Sequence, residues 1–283
     1  MQFWNGGPEE GNENIGCKPM EARNDSPERF VVEKVHREAL DPGEVLRETE
    51  RFERFSLNER AQHIVLFSTF IVLVLTGFPL KYPEVEFLGP LVYLMGGVKG
   101  ARIIHRIAAV IMLADFAYHN LYIASLMYRR KIGLRQILLM IPQPRDVIDL
   151  AKNIRYFLGL SKERPRFDKF SYMEKFDYWA VYWGIFIMGG SGLILWFPEF
   201  WTRFIKLDIV RIAYIAHSDE ALLAFLAITC WHLYNVHLTP RHFPMNRVWY
   251  RGWITREQMI EEHPLEYERM LEKAVSGAQE GSP

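Results

Sequence analysis

Four long apolar stretches constrain this chain more than any other feature of its sequence. Each has enough residues to cross the apolar core of a bilayer, roughly 30 Å thick, which takes about 20 helical residues. Helices buried in a large soluble protein can also be apolar all round, but four such stretches with Trp and Tyr near their ends are typical of membrane spans. The sequence therefore predicts an all-α integral membrane four-helix bundle, with spans at about 61–80, 103–127, 178–198 and 210–236.

Basic residues are distributed unevenly between the segments that flank these spans. The middle connection, 128–177, and the segment before the first span are rich in Lys and Arg, whereas the loops at about 81–102 and 199–209 are short and hold few. By the positive-inside tendency, this pattern predicts a cytoplasmic N-terminus, middle connection and C-terminus. Residues 1–55 contain no apolar core of a cleavable signal, so we expect the first span to act as its own insertion signal.

The same pattern divides the chain into three parts. We predict a cytoplasmic N-terminal extension at 1–55, a membrane domain at 56–240 that includes the cytoplasmic loop 128–177, and a cytoplasmic C-terminal tail at 241–283 with a short helix. Within the loop, apolar residues recur at three- and four-residue spacing with basic residues between them. This spacing predicts one or two helices that lie on the membrane surface or form a docking platform for a cytoplasmic subunit.

Six of the nine histidines lie within or beside the predicted spans, where ionisable side chains are costly and usually functional. The fourteen-residue separation of His105 and His119 returns to within about 40° of the same face of an α-helix, and the fifteen-residue separation of His217 and His232 to within about 60°. The direction of the chain then sorts them by leaflet. The outer pair is His105 with His217, and the inner cluster is His63 with His119 and His232.

Paired imidazoles on facing helices are what a six-coordinate haem iron requires. A zinc site would need three or four protein ligands, whereas the outer pair supplies only two. The sequence contains no CxxCH motif, which argues against c-type haem. We therefore expect two b-type haems, one in each leaflet. Glycines at 77 and in the MGGSG segment at 188–192 would let a porphyrin approach the backbone, although close helix packing explains them equally well.

Three segments resemble a known family. ERAQHIVLFSTFIVLVLTGF is similar to the first helix of the four-helix di-haem cytochrome b subunits of respiratory formate dehydrogenases and nickel–iron hydrogenases, RIIHRIAA to the second, and HSDEALLAFLAITCWHLY to the fourth. The likeness covers about residues 55–240. It implies that His63 and His232 ligate a cytoplasmic-side haem and His105 and His217 a periplasmic-side haem. It also implies that a quinone reacts near the cytoplasmic-side haem, in the cytoplasmic membrane of a bacterium or archaeon.

Two histidines depart from this family's pattern. The spacing of His105 and His119 resembles instead the cytochrome bc-type quinol oxidoreductases, and under that alternative His119 replaces His63 as the partner of His232. His237 lies five residues after His232, about 140° around an α-helix, and so is not expected to ligate the same iron. A third haem held by His119 and His237 is a further alternative.

Quinone chemistry also requires protons, and several polar residues lie in suitable positions. Some are at the cytoplasmic ends of the spans, where ordinary interfacial salt bridges would use the same residue types. Acids within the spans can relay protons or orient a ligand imidazole. The candidates are Arg60, Asp177, Tyr234 and Asn235 at the helix ends, and Asp115 and Glu220 within the spans.

These features predict a membrane cytochrome that transfers single electrons between a quinone pool and a partner redox subunit. The sequence has no Gly-rich nucleotide motif and no iron–sulfur cysteine set, so electrons must come through a partner. The expected partners are a cytoplasmic or periplasmic iron–sulfur, molybdopterin-type or hydrogenase-type subunit or a multihaem cytochrome, with membrane lipid and without nucleic acid. Two alternatives remain, a non-redox membrane anchor or proton-linked transporter, and a transmembrane haem reductase with an external acceptor.

Overall fold

A computed structural model describes residues 51–280. Predictions for residues 1–50, which include most of the N-terminal extension, lie outside the described residues. Four helices in the described part of the chain are long and apolar enough to span a membrane, and they overlap the four predicted spans. They are α1 (Leu57–Lys81), α3 (Gly97–Tyr128), α6 (Tyr172–Trp196) and the helix over Leu207–Leu238, which begins as α8 (Leu207–Leu226). The predicted all-α membrane bundle is confirmed.

Shorter elements connect and flank these helices. A 3-10 turn (Glu86–Leu88) and α2 (Gly89–Leu94) precede α3, and α7 (Pro198–Trp201) precedes α8. The middle connection contains α4 (Leu134–Leu138) and α5 (Pro144–Phe157). After the spans come α9 (Val248–Arg251), α10 (Arg256–Glu262) and α11 (Pro264–Glu280), while β1 (Arg51–Glu53) pairs with β2 (Trp253–Thr255). We call the side of the bundle next to this sheet the tail side, and the side of α2 and α7 the loop side.

Helix α1 turns polar residues inward and apolar residues outward. In α1 the buried side chains include Gln62, Thr69 and Thr76, whereas Ile71 and Leu75 are about half exposed. This is the reverse of a helix in a soluble protein, whose apolar stripe faces the core. Because lipid tails are as apolar as these exposed side chains, the arrangement fits a bundle with a bilayer around it.

The helices α1 and α6 begin in the same way. Ser56 accepts a hydrogen bond from the backbone N–H of Glu59, whose carboxylate accepts one from the Ser56 N–H, and Ser171 and Glu174 repeat this capping box before α6. Such boxes satisfy N–H groups that the first turn of a helix leaves unpaired. Helix α1 then packs along α3, and α6 along α8, so the bundle consists of two helical hairpins.

The fourth span changes its winding before it ends. Ala227–His232 and Tyr234–Leu238 are π-helical. The N–H of Leu233 accordingly donates to the carbonyl of Ile228, five residues earlier rather than four. Wider π turns accommodate an additional residue in a helix and occur often at functional sites.

This winding changes the angular positions expected for two histidines. The additional residue brings His232, fifteen residues after His217, to the angle that fourteen residues reach in a regular α-helix. A π turn contains more residues than an α turn, so the five residues from His232 to His237 rotate less far beyond one full turn than they would in an α-helix. The expectation that His237 points about 140° away from His232 is therefore wrong, since it assumed α-helical geometry.

A small unit on the tail side consists of β1, β2, α10 and α11. Phe52 lies opposite Ile254 in the antiparallel sheet, and both side chains are buried with Met259 and Tyr267. The sequence predicted a single short helix in the C-terminal tail, and the described part of the tail has a strand and three helices, α9, α10 and α11. The strand was missed because its partner, β1, is far away in the sequence.

Arg54 joins this unit to the start of α6. Its guanidinium donates to the carboxylate of Glu266 at 2.6 Å and to the carbonyl of Lys169 at 2.7 Å, and Glu174 lies 3.8 Å away. The Arg54 side chain is only 9% exposed. A charge this well buried is tolerated because these oxygens compensate it.

His263 lies at the same junction and is buried. Its Nδ1–H donates to the carbonyl of Asp168 at 2.8 Å. Burial and the charge of Arg54 lower the pKa of His263 below its usual 6.5, against the opposing effect of nearby carboxylates. The folded unit therefore favours neutral His263. The opposing carboxylates are Glu174, Glu266 and Glu262.

We expect the tail unit to loosen as the pH falls from about 7.5 to about 5.5. Because the folded-state pKa of His263 is depressed, its contribution to stability is present above the unfolded pKa and is lost as the pH falls below that value. Hydrogen exchange of the amides in β2 and α10 should therefore rise in acid. The rise should be smaller in His263→Gln, and an equal rise in both proteins would assign the acid response to other groups.

Candidate functional site

Two histidines from different hairpins face each other toward the loop side. The rings of His105, on α3, and His217, on α8, have centroids 6.2 Å apart and planes inclined by 65°. An imidazole nitrogen lies roughly 1.2 Å from the ring centre and binds a metal at about 2 Å, so two rings on opposite sides of one metal ion have centroids about 6.4 Å apart. The observed spacing fits one metal ion between the two rings.

Hydrogen bonds at Nδ1 orient both rings. The hydroxyl of Thr76 lies 2.8 Å from Nδ1 of His105 and donates to a carbonyl of its own helix, so it accepts from the imidazole. Nδ1 of His217 lies 3.1 Å from the carbonyl of Met188, which can only accept, and 3.1 Å from the hydroxyl of Ser191. With the proton on Nδ1, the Nε2 of each ring carries a lone pair, which is the form that ligates a metal.

A glycine lies against each of these rings. A Cβ added at Gly77 would be 3.3 Å from Cε1 of His105, and one at Gly192 would be 3.2 Å from Cε1 of His217. Both distances are tighter than ordinary van der Waals contact, so a larger side chain would press on the ring. A Cβ at Gly190, on the same helix as Gly192, would meet nothing within 4 Å.

On the tail side, an acid holds His232. Nδ1 of His232 lies 2.9 Å from the carboxylate of Asp177. His63 and His237 each lie close enough to His232 for their charges to interact. Their Nδ1 atoms are buried and have no hydrogen-bond partner within residues 51–280. The structure thus brings together His63 and His232, as grouped from the sequence, and adds His237.

His119 uses both ring nitrogens in hydrogen bonds. Nδ1 lies 2.7 Å from Oε1 of Gln62, and Nε2 lies 3.1 Å from the hydroxyl of Tyr178. That hydroxyl lies 3.1 Å from the hydroxyl of Tyr182, which donates to Asn120. Because Oε1 of Gln62 accepts the Nδ1 proton, Nε2 accepts the proton of Tyr178. In this arrangement neither nitrogen of His119 is available to a metal.

The two hairpins are related by an internal repeat. Residues at the start of α1 and along it recur in α6 at one constant sequence interval. Each pair has the same role, either in the capping box or beside a loop-side histidine. The repeated pairs are Ser56 with Ser171, Glu59 with Glu174, Thr76 with Ser191, and Gly77 with Gly192.

The same interval relates the tail-side contacts. Gln62, which contacts Nδ1 of His119, corresponds to Asp177, which contacts Nδ1 of His232. His63 corresponds by the same interval to Tyr178, whose hydroxyl faces Nε2 of His119. The repeat therefore predicts that His63 faces Nε2 of His232.

Buried polar atoms that lack a hydrogen-bond partner in the described part of the chain gather on the tail side. All but one belong to the start of α1, the end of the fourth span or α9, and most can only donate. A buried donor without an acceptor costs about 1–3 kcal/mol, so this cluster suits a group rich in acceptor oxygens. The tail-side members are Asn58, Arg60, Gln62, His63, Trp231, His237 and Trp249, and the exception is Asn153.

Three of the polar residues singled out in the sequence lie at the tail-side helix ends. Arg60 donates to the carbonyl of Tyr250 at 2.5 Å, which directs it toward the tail unit. Asn235 donates to the carbonyl of Trp231 in its own helix at 2.9 Å. Tyr234 is 53% exposed and lies on the outer surface. None of these three has a described hydrogen bond to a histidine.

The other three occupy different levels of the bundle. Asp115 is half-buried within α3, and Glu220 lies within α8 opposite Gly184 of α6, where an added Cβ would be 3.9 Å from its Oε1. Asp177 is the candidate whose described hydrogen bonds reach a histidine. Of the residues singled out in the sequence, Asp177 is therefore the one that orients a histidine ring. Three other rings are oriented by residues that the sequence did not indicate.

The missed residues are Thr76, Ser191, Gln62 and Tyr178. Small polar residues are common in membrane spans, where they pack helices together, so each one alone is uninformative. The internal repeat was the available signal, since TG at 76–77 and SG at 191–192 recur at the interval that separates the two capping boxes.

A model of a known protein family matches most of this chain. The family model described as prokaryotic cytochrome b561 matches residues 54–242. The match covers more than half of the chain and contains all six histidines of the spans.

Individual relatives are subunits of formate dehydrogenases. The cytochrome b556(fdo) subunit of Escherichia coli strain K12 is 25% identical over 221 residues, which cover 76% of this chain and 90% of that protein. The cytochrome b556 subunit of Haemophilus influenzae is 23% identical over 215 residues, or 76% and 82% of the two chains. The nitrate-inducible cytochrome b556(Fdn) subunit of Escherichia coli strain K12 is 22% identical over 223 residues, or 76% and 89%.

Proposed function

The chain belongs to the prokaryotic cytochrome b561 family, and we propose that it is a di-haem membrane subunit that transfers electrons between a quinone pool and a partner redox protein. As a membrane cytochrome b it functions in electron transfer with b-type haem, and the non-redox anchor or transporter alternative loses its support. Haem iron supplies one-electron chemistry. The spacing and fixed tautomers of His105 and His217 carry the proposal, because they suit two axial ligands of one iron.

His105 and His217 are assigned to the loop-side haem. Neither ring can rotate without losing its hydrogen bond to Thr76 or to the Met188 carbonyl. Hydrogen bonds at Nδ1 also raise the basicity of Nε2, which is one way in which a protein tunes the potential of a bound iron. Because the residue beside each ring is a glycine, no side chain there presses on the imidazole.

Gly192→Val should lower haem occupancy of the loop-side site severalfold. The first atom of the new side chain would lie 3.2 Å from the His217 ring, and its branches would force the ring away from the axis to His105. Gly190→Val is the matched control on the same helix, because a Cβ there meets open space. Haem content per chain distinguishes them, and equal losses in both variants would attribute the effect to helix packing rather than to the ring.

His63 and His232 are assigned to the tail-side haem. Support comes from Asp177, which fixes the His232 ring, and from the repeat, which predicts His63 opposite Nε2 of His232. In the bc-type alternative, His119 would first have to break its hydrogen bonds to Gln62 and Tyr178. We therefore propose that His119 is a hydrogen-bonding neighbour of this haem and not a ligand.

Quinone is proposed to react beside the tail-side haem. The buried N–H donors gathered there suit the carbonyl oxygens of a quinone ring or the carboxylates of a haem. Reduction of a quinone to quinol takes two electrons, delivered singly by the haems, and two protons. Candidates for proton exchange are Arg60, Asp177, Tyr234 and Asn235 at the tail side, Asp115 and Glu220 deeper in the spans, and the hydroxyls of Tyr178 and Tyr182 beside His119.

A soluble quinone analogue should reoxidise the dithionite-reduced protein. Because each quinone accepts two electrons, one equivalent should oxidise about two haems. Stopped-flow absorbance in the haem bands measures the rate, and His63→Ala, which removes the proposed tail-side ligand, should lose the rapid phase. Rapid oxidation by a ferric chelate, with no oxidation by quinone, would instead support the transmembrane haem reductase alternative.

The names of the relatives guide the proposal for the partner. They are subunits of formate dehydrogenases, so we propose a molybdopterin-type or iron–sulfur redox subunit as the partner of this chain. A hydrogenase-type subunit or a multihaem cytochrome would serve the same role. We place the tail side, with both termini and the middle connection, in the cytoplasm, since the flanking segments there are rich in basic residues.

A further inference from the structure

Helix α5, in the middle connection, buries polar residues and exposes apolar ones, which is the reverse of a helix on the surface of a water-soluble protein. Its buried residues are Asp149 and Asn153, which are 7% and 4% exposed. Across the helix, Val147 is 68% and Ile154 is 50% exposed. A helix bordered by water would bury its apolar stripe, so the surroundings of this outer face are expected to be apolar.

Polar contacts hold the inner face of α5 against the start of α6. Nζ of Lys175 donates to both carboxylate oxygens of Asp146 at 2.9 Å. The amide of Asn153 donates to the hydroxyl of Tyr172 at 2.8 Å. Because the Lys175 ammonium and the Asn153 amide are buried and donate to these acceptors, specific hydrogen bonds fix the orientation of α5.

These contacts also define how α5 crosses the span. Asp146 and Asn153 are about 10 Å apart along α5, whereas their partners Lys175 and Tyr172 are only about 4.5 Å apart along α6. Contacts seven residues apart on α5 thus converge on residues three apart on α6, as expected of a helix that crosses α6 and not of one that runs alongside it. Since α6 spans the membrane, α5 extends roughly along the membrane plane.

The apolar face of α5 lies at the level of the membrane boundary. Just before α5, the carbonyl of Met140 accepts a hydrogen bond at 2.9 Å from the indole of Trp179, which is one turn deeper in α6 than Lys175. Tryptophans at such positions mark the interface between headgroups and acyl chains. Exposed apolar side chains continue from the outer surface of α6 onto α5; they are Phe176, Trp179 and Trp183 of α6 and Val147, Ile148, Leu150, Ile154 and Phe157 of α5.

The charges of α5 favour an anionic surface. Both of its acids are turned inward, Asp146 toward Lys175 and Asp149 toward Arg145 at 3.7 Å. Lys152 and Arg155 are exposed. Each basic side chain near an anionic membrane strengthens binding by about fivefold. The combination of an apolar face with exposed basic residues is that of a helix lying in a membrane interface.

We propose that α5 is an in-plane membrane helix, with Val147, Ile154 and Phe157 inserted among lipid acyl chains and Lys152 and Arg155 bound to anionic headgroups. This role is independent of the haem and quinone assignments. It anchors the middle connection beside the start of α6, on the same side of the membrane as the tail unit.

Spin labels on the full chain in lipid nanodiscs test this proposal. With Cys17 and Cys230 replaced by serine, one nitroxide is placed at Ile154→Cys and a matched one at Lys152→Cys, two residues away. Nanodiscs contain either phosphatidylcholine alone or equal parts of phosphatidylcholine and phosphatidylglycerol. Collision rates with oxygen, which concentrates in lipid, and with a water-soluble nickel chelate then report the surroundings of each label.

We expect the label at 154 to collide severalfold more with oxygen than with nickel, and the label at 152 to show the reverse. Greater depth in the phosphatidylglycerol discs, lost in the double variant Lys152→Gln and Arg155→Gln, would support headgroup binding. A nickel-accessible label at 154 would overturn the proposal, because the face would be in water. A label protected from both reagents in the intact complex would overturn it in favour of a partner subunit.

Discussion

Replacing His105 with alanine should lower the haem content from about two to about one per chain. The ring of His105 lies at a spacing that suits a shared iron with His217, and its tautomer is fixed by Thr76. Without this imidazole the site supplies one protein ligand instead of two, so we expect this haem to be lost during purification. The pyridine haemochrome assay on the purified variant measures the change.

The partner variant supplies the control for this result. His217→Ala should lose the same haem, and the double variant should lose no more than either single one, because both substitutions abolish one site. Two haems retained in His105→Ala, or a further loss in the double variant, would contradict the assignment of these histidines to a common iron.

His63→Ala and His119→Ala should differ in outcome, although both remove an imidazole from the tail side. We expect His63→Ala to lose the tail-side haem and His119→Ala to retain it, since His119 already donates to Gln62 and accepts from Tyr178. Haem content and the reduced-minus-oxidised spectrum distinguish the two. Spectral shifts in His119→Ala, at unchanged haem content, would reflect its position next to the haem.

The opposite pattern would move the tail-side haem to the bc-type pairing of His119 with His232. His237→Ala is the matched control, because His237 also lies near His232 through the π-helical turns and is not assigned as a ligand. Loss of a haem in His237→Ala would show that the π turns present a different imidazole to the iron.

The membrane spans and the outer histidine pair were accessible from the sequence. Length and hydropathy define a span without tertiary contacts, and the separations of His105 from His119 and of His217 from His232 place two imidazoles on one helix face. The fold prediction therefore agrees with the structure over all four spans. Pairing of His105 with His217 followed from the direction of the chain alone.

The π-helical winding of the fourth span could not be predicted from the sequence. A π segment depends on small differences in backbone geometry, and AITCWHLYNVHL contains no proline or glycine that would indicate a change of winding. An α-helical angle was therefore assumed for His237. The additional residue also explains why the second hairpin needs fifteen residues between its histidines where the first has fourteen.

The groups that orient the rings were missed for a different reason. Thr76, Ser191 and Gln62 act through contacts with another helix, and their sequence neighbours do not reveal that contact. Comparing the two hairpins with each other would have found them. The comparison also reveals where the halves differ, since His63 in the first corresponds to Tyr178 in the second.

This difference gives the repeat a physical meaning. In one half, His119 faces a tyrosine hydroxyl, and in the other, the equivalent His232 is expected to face His63. A hydroxyl accepts and donates hydrogen bonds, whereas an imidazole can also ligate iron. The difference between His63 and Tyr178 would thus make one of the two equivalent tail-side positions a haem site, while the other holds a hydrogen-bonded network.

The most direct test of the account is the number and coordination of the haems in the unmodified chain. The protein would be purified in lipid nanodiscs and measured by pyridine haemochrome, protein quantitation and low-temperature electron paramagnetic resonance of the oxidised state. We predict about two b-type haems per chain, both low-spin with two axial imidazoles. A single haem, or a high-spin signal of comparable intensity, would contradict the assignment of two histidine pairs.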